Sequence, residues 1–136
     1  MRINRRPDRR WFGTIYNTVV ARDGSLAVAS GVRGEDGERP EQWALSVLQP
    51  DGKGRSVAFL PDSIDSRTFA FDGRRIVAWD EGRLRILDPA GKTLALLGVP
   101  KDIQSVRKMP ILLSRSGSEA WILDGGRRVF HRVQLP

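Results

Sequence analysis

FAFDGRRIVAWDEGRLRILDPAGKTLALLG (69–98) decides the fold. Four short apolar runs in it are separated by the turns Asp72-Gly73, Asp80-Glu81-Gly82 and Asp88-Pro89-Ala90-Gly91. β-Branched and aromatic residues gather in the runs, and glycine ends each turn, where a left-handed residue closes a tight hairpin. The pattern predicts a four-stranded antiparallel meander, with three-residue hairpins at 80–82 and 124–126.

Pieces of the meander recur outward from it. Gly24, Gly73 and Gly117 follow apolar strands at spacings of 49 and 44 residues. A second strand comes next in each case, LAVAS (26–30), RIVAW (75–79) and EAWIL (119–123). Third strands follow at 43–49, 83–88 and 128–133, and fourth strands at 56–60 and 93–97. The third copy reaches Pro136 without a fourth strand. The copies span about 18–60, 68–98 and 110–135, and the segment 102–108 reads as a loop between two of them.

A period near 44 with four strands per copy is the mark of propeller blades. The carrying residues are the small apolar strand before Asp72-Gly73, the run Gly82-Arg83-Leu84-Arg85-Ile86, and the turn Asp88-Pro89-Ala90-Gly91-Lys92 leading into Leu94 and Leu97. On these the chain resembles six-bladed propellers of the NHL and TolB-like type over residues 18–135. The resemblance implies an all-β fold of antiparallel four-stranded meander repeats, a partial β-propeller of about three blades. A closed ring needs at least four. The chain is therefore expected to be a piece of a longer propeller, an open stack, or half of a homodimeric ring. The run 11–16 reads as an extra strand before the first copy, and the dimer expectation has it completing the partner's last blade.

The expected core is Leu26, Val28, Trp43, Leu45, Val47, Phe59, Phe69, Phe71, Ile76, Ala78, Leu84, Ile86, Leu94, Ile111, Leu113, Trp121 and Leu123. With 136 residues, 40% of them apolar, the chain has the mass for one domain over 11–136, behind a basic tail at 1–10. That tail holds +4 of the net +7 through Arg2, Arg5, Arg6, Arg9 and Arg10 against Asp8. The chain contains no cysteine, which removes disulfides and thiolate chemistry. No signal peptide or apolar span is evident, which favours a cytoplasmic protein.

Chemistry is thinly represented. His131 is the single histidine, placed by the pattern on a partly exposed strand position. Propeller hydrolases of the lactonase type hold a metal with Glu, Asn and Asp; here the only asparagines are Asn4 and Asn17. Neither Glu35-Asp36-Gly37-Glu38 nor Asp62-Ser63-Ile64-Asp65-Ser66 has calcium-loop spacing, and both read as solvated loops. No metal, cofactor or catalytic residue is expected. Binding candidates are Glu35, Asp36 and Glu38 on the long connection 31–41, Trp43 behind it, and the tail residues Arg5, Arg6, Arg9 and Arg10 with Trp11. Arg74-Arg75 and Arg127-Arg128 read as rim charges. The leading expectation is a non-enzymatic binding or scaffold module using its face loops, with a protein or glycan ligand. One alternative is a hydrolase or lyase whose site is completed by oligomerisation. Another is a nucleic-acid or anionic-surface adaptor acting through the arginine tail, which has no phosphate loop or stacking pair beside it.

Overall fold

The computed structural model describes residues 11–100, 103 and 109–136, apart from the side chain of Trp11. The protein is all-β, and the described residues contain no helix. Among the described residues, eleven strands form three antiparallel meander sheets. The first sheet holds β1 (Trp11–Val20), β2 (Leu26–Arg33), β3 (Gln42–Leu48) and β4 (Arg55–Pro61), side by side in chain order. The second holds β5 (Ala70–Phe71), β6 (Ile76–Asp80), β7 (Arg83–Leu87) and β8 (Thr93–Gly98). The third holds β9 (Ile111–Leu113), β10 (Glu119–Asp124) and β11 (Val129–Gln134).

The second sheet lies between the other two, and strand alternation divides its side chains between them. Phe71, Ile76, Ala78 and Leu87 pack against Ala27, Ala29, Trp43, Leu45 and Val47 of the first sheet. Val77, Trp79, Leu84 and Ile86 pack against Ile111, Ala120 and Ile122 of the third. All five residues of β6 are buried as a result. The two interior tryptophans satisfy their indole N–H groups on connections between sheets. Trp43 Nε1 donates to the Ile64 carbonyl at 2.9 Å, and Trp79 Nε1 to the Met109 carbonyl at 2.7 Å.

Several expectations need correction. Residues 11–16 are not an extra strand. They form one ladder with 17–20, and Trp11 and Phe12 face Arg33 and Val32 of β2. The connection expected at 31–41 thus begins as strand, because this pairing satisfies the backbone of 31–33. A segment already held in its own sheet would have to break that ladder before it could be donated to a partner. The 80–82 hairpin has two loop residues, Glu81 and Gly82, both at positive φ, since Asp80 pairs with Arg83. The 124–126 hairpin has four, 125–128, and its left-handed residue is Arg128 at φ 56°.

Leu94 and Trp121, expected in the core, are 51% and 37% exposed, and Leu26, Val28, Phe59, Leu113 and Leu123 are only partly buried. Strand alternation puts Leu94 with the exposed Leu96 on the face opposite Ala95 and Leu97, which do pack inward. Trp121 lies on the face of the third sheet that no other described sheet covers. Of the segment 102–108, only Ile103 is described; it is buried, and its amide donates to the Pro100 carbonyl.

Candidate functional site

The meander places its connections at two ends of the stack. One end carries the tight turns after β1, β3, β5, β7 and β9. Four of them are closed by an aspartate that accepts backbone N–H groups of its own turn. Asp23 takes Ser25, Asp51 takes Lys53, Asp72 takes Arg74 and Arg75, and Asp88 takes Ala90 and Lys92. In the fifth, Ser114 Oγ accepts the Glu119 amide at 3.0 Å. The Ser25 amide and hydroxyl hold the Asp23 carboxyl below its ordinary range.

These turns also fit one sheet to the next. A Cβ at Gly73 would lie 2.6 Å from Asp23 Oδ2, and a Cβ at Gly117 would lie 2.8 Å from Asp72 Oδ2. Asp23 and Asp72 therefore each rest on the glycine of the following sheet's turn, at positive φ, where only glycine fits without strain. Arg75 fastens the same junction. Its guanidinium donates to the Gly117 carbonyl and, at 2.9 Å, to the Pro136 carbonyl. It is an inter-sheet staple and not a rim charge, whereas its neighbour Arg74 is exposed. Between the first strands of the three sheets opens a funnel of about 460 Å³, lined by 19–22, 69–72 and 111–115.

The other end carries the connections after β2, β4, β6, β8 and β10, which range from the two-residue loop 81–82 to longer segments such as 34–41. The turn 34–38 is closed by its own backbone, with Gly34 N donating to Glu38 O and Gly37 N to Gly34 O. Beside it lies a second cleft of about 410 Å³, lined by 13–16, 31–33, Arg39, Pro40, Gln42, Asp62 and Arg67. The β1 side of this cleft is irregular. Its register with β2 shifts twice, between Phe12 and Ile15 and between Ile15 and Asn17. Such bulges re-aim side chains, and here Tyr16 lies across Gly31, where a Cβ would come 2.8 Å from its hydroxyl. The Arg67 guanidinium stacks on the Tyr16 ring, 5.1 Å from its centroid. The Arg67 backbone is held on both sides, its carbonyl by Asn17 Nδ2 at 2.9 Å and its amide by Asp65 Oδ1 at 3.1 Å.

The expected site residues divide. Glu35, Asp36 and Glu38 are exposed on the 34–38 turn. Trp43 belongs to the core at 1% exposure and gives the loop no contact face. Trp11 opens β1, and Arg5, Arg6, Arg9 and Arg10 lie outside the described residues. The segment 62–66 is not simply a solvated loop. Ile64 and Asp65 are buried, and Asp65 also accepts the Thr68 hydroxyl. His131 is half-buried, with Nε2 3.2 Å from Asp124 Oδ2. That contact, with help from the Arg127 amide, holds the buried Asp124 carboxyl below its ordinary value of 3.8. Asp80, 44 positions earlier, makes the corresponding buried pair with Arg85. Both pairs lock a β-hairpin.

Among the described residues, no three His, Asp or Glu side chains gather closely enough to hold a metal ion. Nor is any helix long and apolar enough to cross a membrane. Sequence reasoning missed Arg33, Arg39 and Arg67, because they are scattered along the chain and meet only through the fold. Comparison with family models, curated proteins and solved structures finds no match.

Proposed function

We propose that the chain supplies about three blades of a β-propeller and works as a non-enzymatic binding module, taking a protein or glycan partner at its loop end. The observation that carries this reading is the funnel: the first strands of three stacked meanders converge on one cavity, as the innermost strands of propeller blades do. The turn-on-glycine contact, repeated from sheet one to sheet two and from two to three, supports a regular rotation between sheets.

Two apolar faces are left over. The third sheet exposes Leu112 and Phe130 at 53% and 61%, with Trp121 packed edge-on against Phe130. The outward face of the first sheet carries Val20, Leu26, Val28, Leu48 and Phe59, of which Val20 is 68% exposed. Gly24 also differs from Gly73 and Gly117, for its near neighbour is Pro50 of its own sheet and not a preceding turn's aspartate. A second copy offers each face its complement. Two chains about a two-fold axis would set the third sheet of each against the first sheet of the other, making a ring of six and enclosing the funnel.

Light scattering tests the assembly. The expected mass is twice the chain's 15.2 kDa, reduced to the single-chain value by Phe130→Asp. A wild-type monomer at micromolar concentration would overturn the two-chain ring and leave a segment of a longer propeller. A dimer indifferent to Phe130→Asp would move the contact elsewhere.

A further inference from the structure

We propose that the cleft at the loop end binds a small dianion, carrying either a phosphoryl group or a pair of carboxylates. Three arginines, Arg33, Arg39 and Arg67, line it beside one aspartate, Asp62. All three arginines are exposed, and among the described residues none of them is ion-paired. Arg75, Arg85, Arg127 and Arg132 each reach an Asp or Glu elsewhere in the molecule. The acidic residues of the neighbouring turn, Glu35, Asp36 and Glu38, do not line the cleft. Like charges gathered around one concavity repel, and a dianion relieves that repulsion while using the planar donor forks that suit oxyanions.

The site is also shaped in advance. The Arg67 backbone is fixed at both its amide and its carbonyl, and its side chain is stacked on Tyr16. Tyr16 is in turn set by a bulge and by the missing Cβ of Gly31. A site held in this way loses little freedom on binding. Its volume of about 410 Å³ falls in the range of small-ligand clefts.

This inference rests on the loop end of the proposed module and not on ring closure. A monomer that binds anions and a dimer that does not are separate results. The test is calorimetric titration of the full chain with inorganic phosphate and, separately, with succinate, at constant ionic strength in chloride. Saturable binding of one of them is expected, weakened about tenfold or more by Arg39→Gln and by Arg67→Ala, each variant keeping its circular dichroism. Arg74→Ala, at the opposite end, is expected to bind as the parent does. Preference for phosphate identifies a phosphoryl ligand, and preference for succinate a dicarboxylate. Saturable binding of neither probe, or an equal loss with Arg74→Ala, would overturn the proposal.

Discussion

The second and third sheets are built from the same meander, yet they use their apolar residues differently. In the second, β6 and β7 present Ile76, Val77, Trp79, Leu84 and Ile86 to two neighbours, and all are buried. In the third, Trp121 and Phe130 are as apolar as Trp79 and Leu84, but their face is bare. A meander sheet has two faces, and burial is decided by how many sheets flank it. The third sheet therefore exposes apolar surface that no described residue covers, and the proposed second copy would cover it.

The largest expected effect comes from emptying the doubly covered sheet. Leu84 is fully buried, so Leu84→Ala is expected to cost about 3 kcal/mol, as buried leucine truncations do. Its counterpart in the comparison, Leu112→Ala, is expected to change chain stability by less than about 0.5 kcal/mol at nanomolar concentration. Denaturant melts of both variants check this. Equal losses would break the contrast, while a Leu112→Ala loss that grows with protein concentration would sharpen it by showing the face covered on association.

An intermediate effect is expected at the junction between these two sheets. Arg75→Ala removes the donors to the Gly117 and Pro136 carbonyls and is expected to cost about 2 kcal/mol. Hydrogen exchange should then quicken in β9–β11 while β6 and β7 stay protected. A uniform acceleration would mean that the third sheet has no stability of its own to lose.

The smallest effect is pH-dependent. The folded Asp124 carboxyl has a lowered pKa, so its contribution is present above the ordinary value of 3.8 and disappears as pH falls below it. Asp124→Asn should flatten the acid limb of melting temperature against pH, with near-ultraviolet signals of Trp121 changing first. An unchanged acid limb would show that the His131 contact leaves the third sheet no more acid-sensitive.

Much of the sheet structure could be read along the chain. Turn aspartates and glycines at 72–73, 80–82 and 88–91 stand beside the residues they turn, and alternation within a run sets which side chains share a face. The misreadings fall where local chemistry was outweighed. Asp124-Gly125-Gly126 has the residues of a short hairpin, but pairing of Asp124 with Val129 lengthens it. Leu94 lies in the expected strand, but pairing of Ala95 with Ile86 and of Leu97 with Leu84 turns those two residues inward and leaves Leu94 outside. The candidate cleft was still less legible, because Tyr16, Arg33, Arg39 and Arg67 come from three separate segments and share no spacing.

By itself the sequence determined the all-β class, the meander connectivity and the positions of most turns. These follow from interactions between residues a few places apart: a side-chain cap, a left-handed glycine, an apolar residue at every second position. Only the tertiary structure decided that Arg75 is a staple, that Trp121 is exposed and that three distant arginines line one cleft. Those outcomes depend on which sheet stacks on which and at what angle. Stacking is set by contacts between residues tens of positions apart, and no local pattern along the chain encodes them.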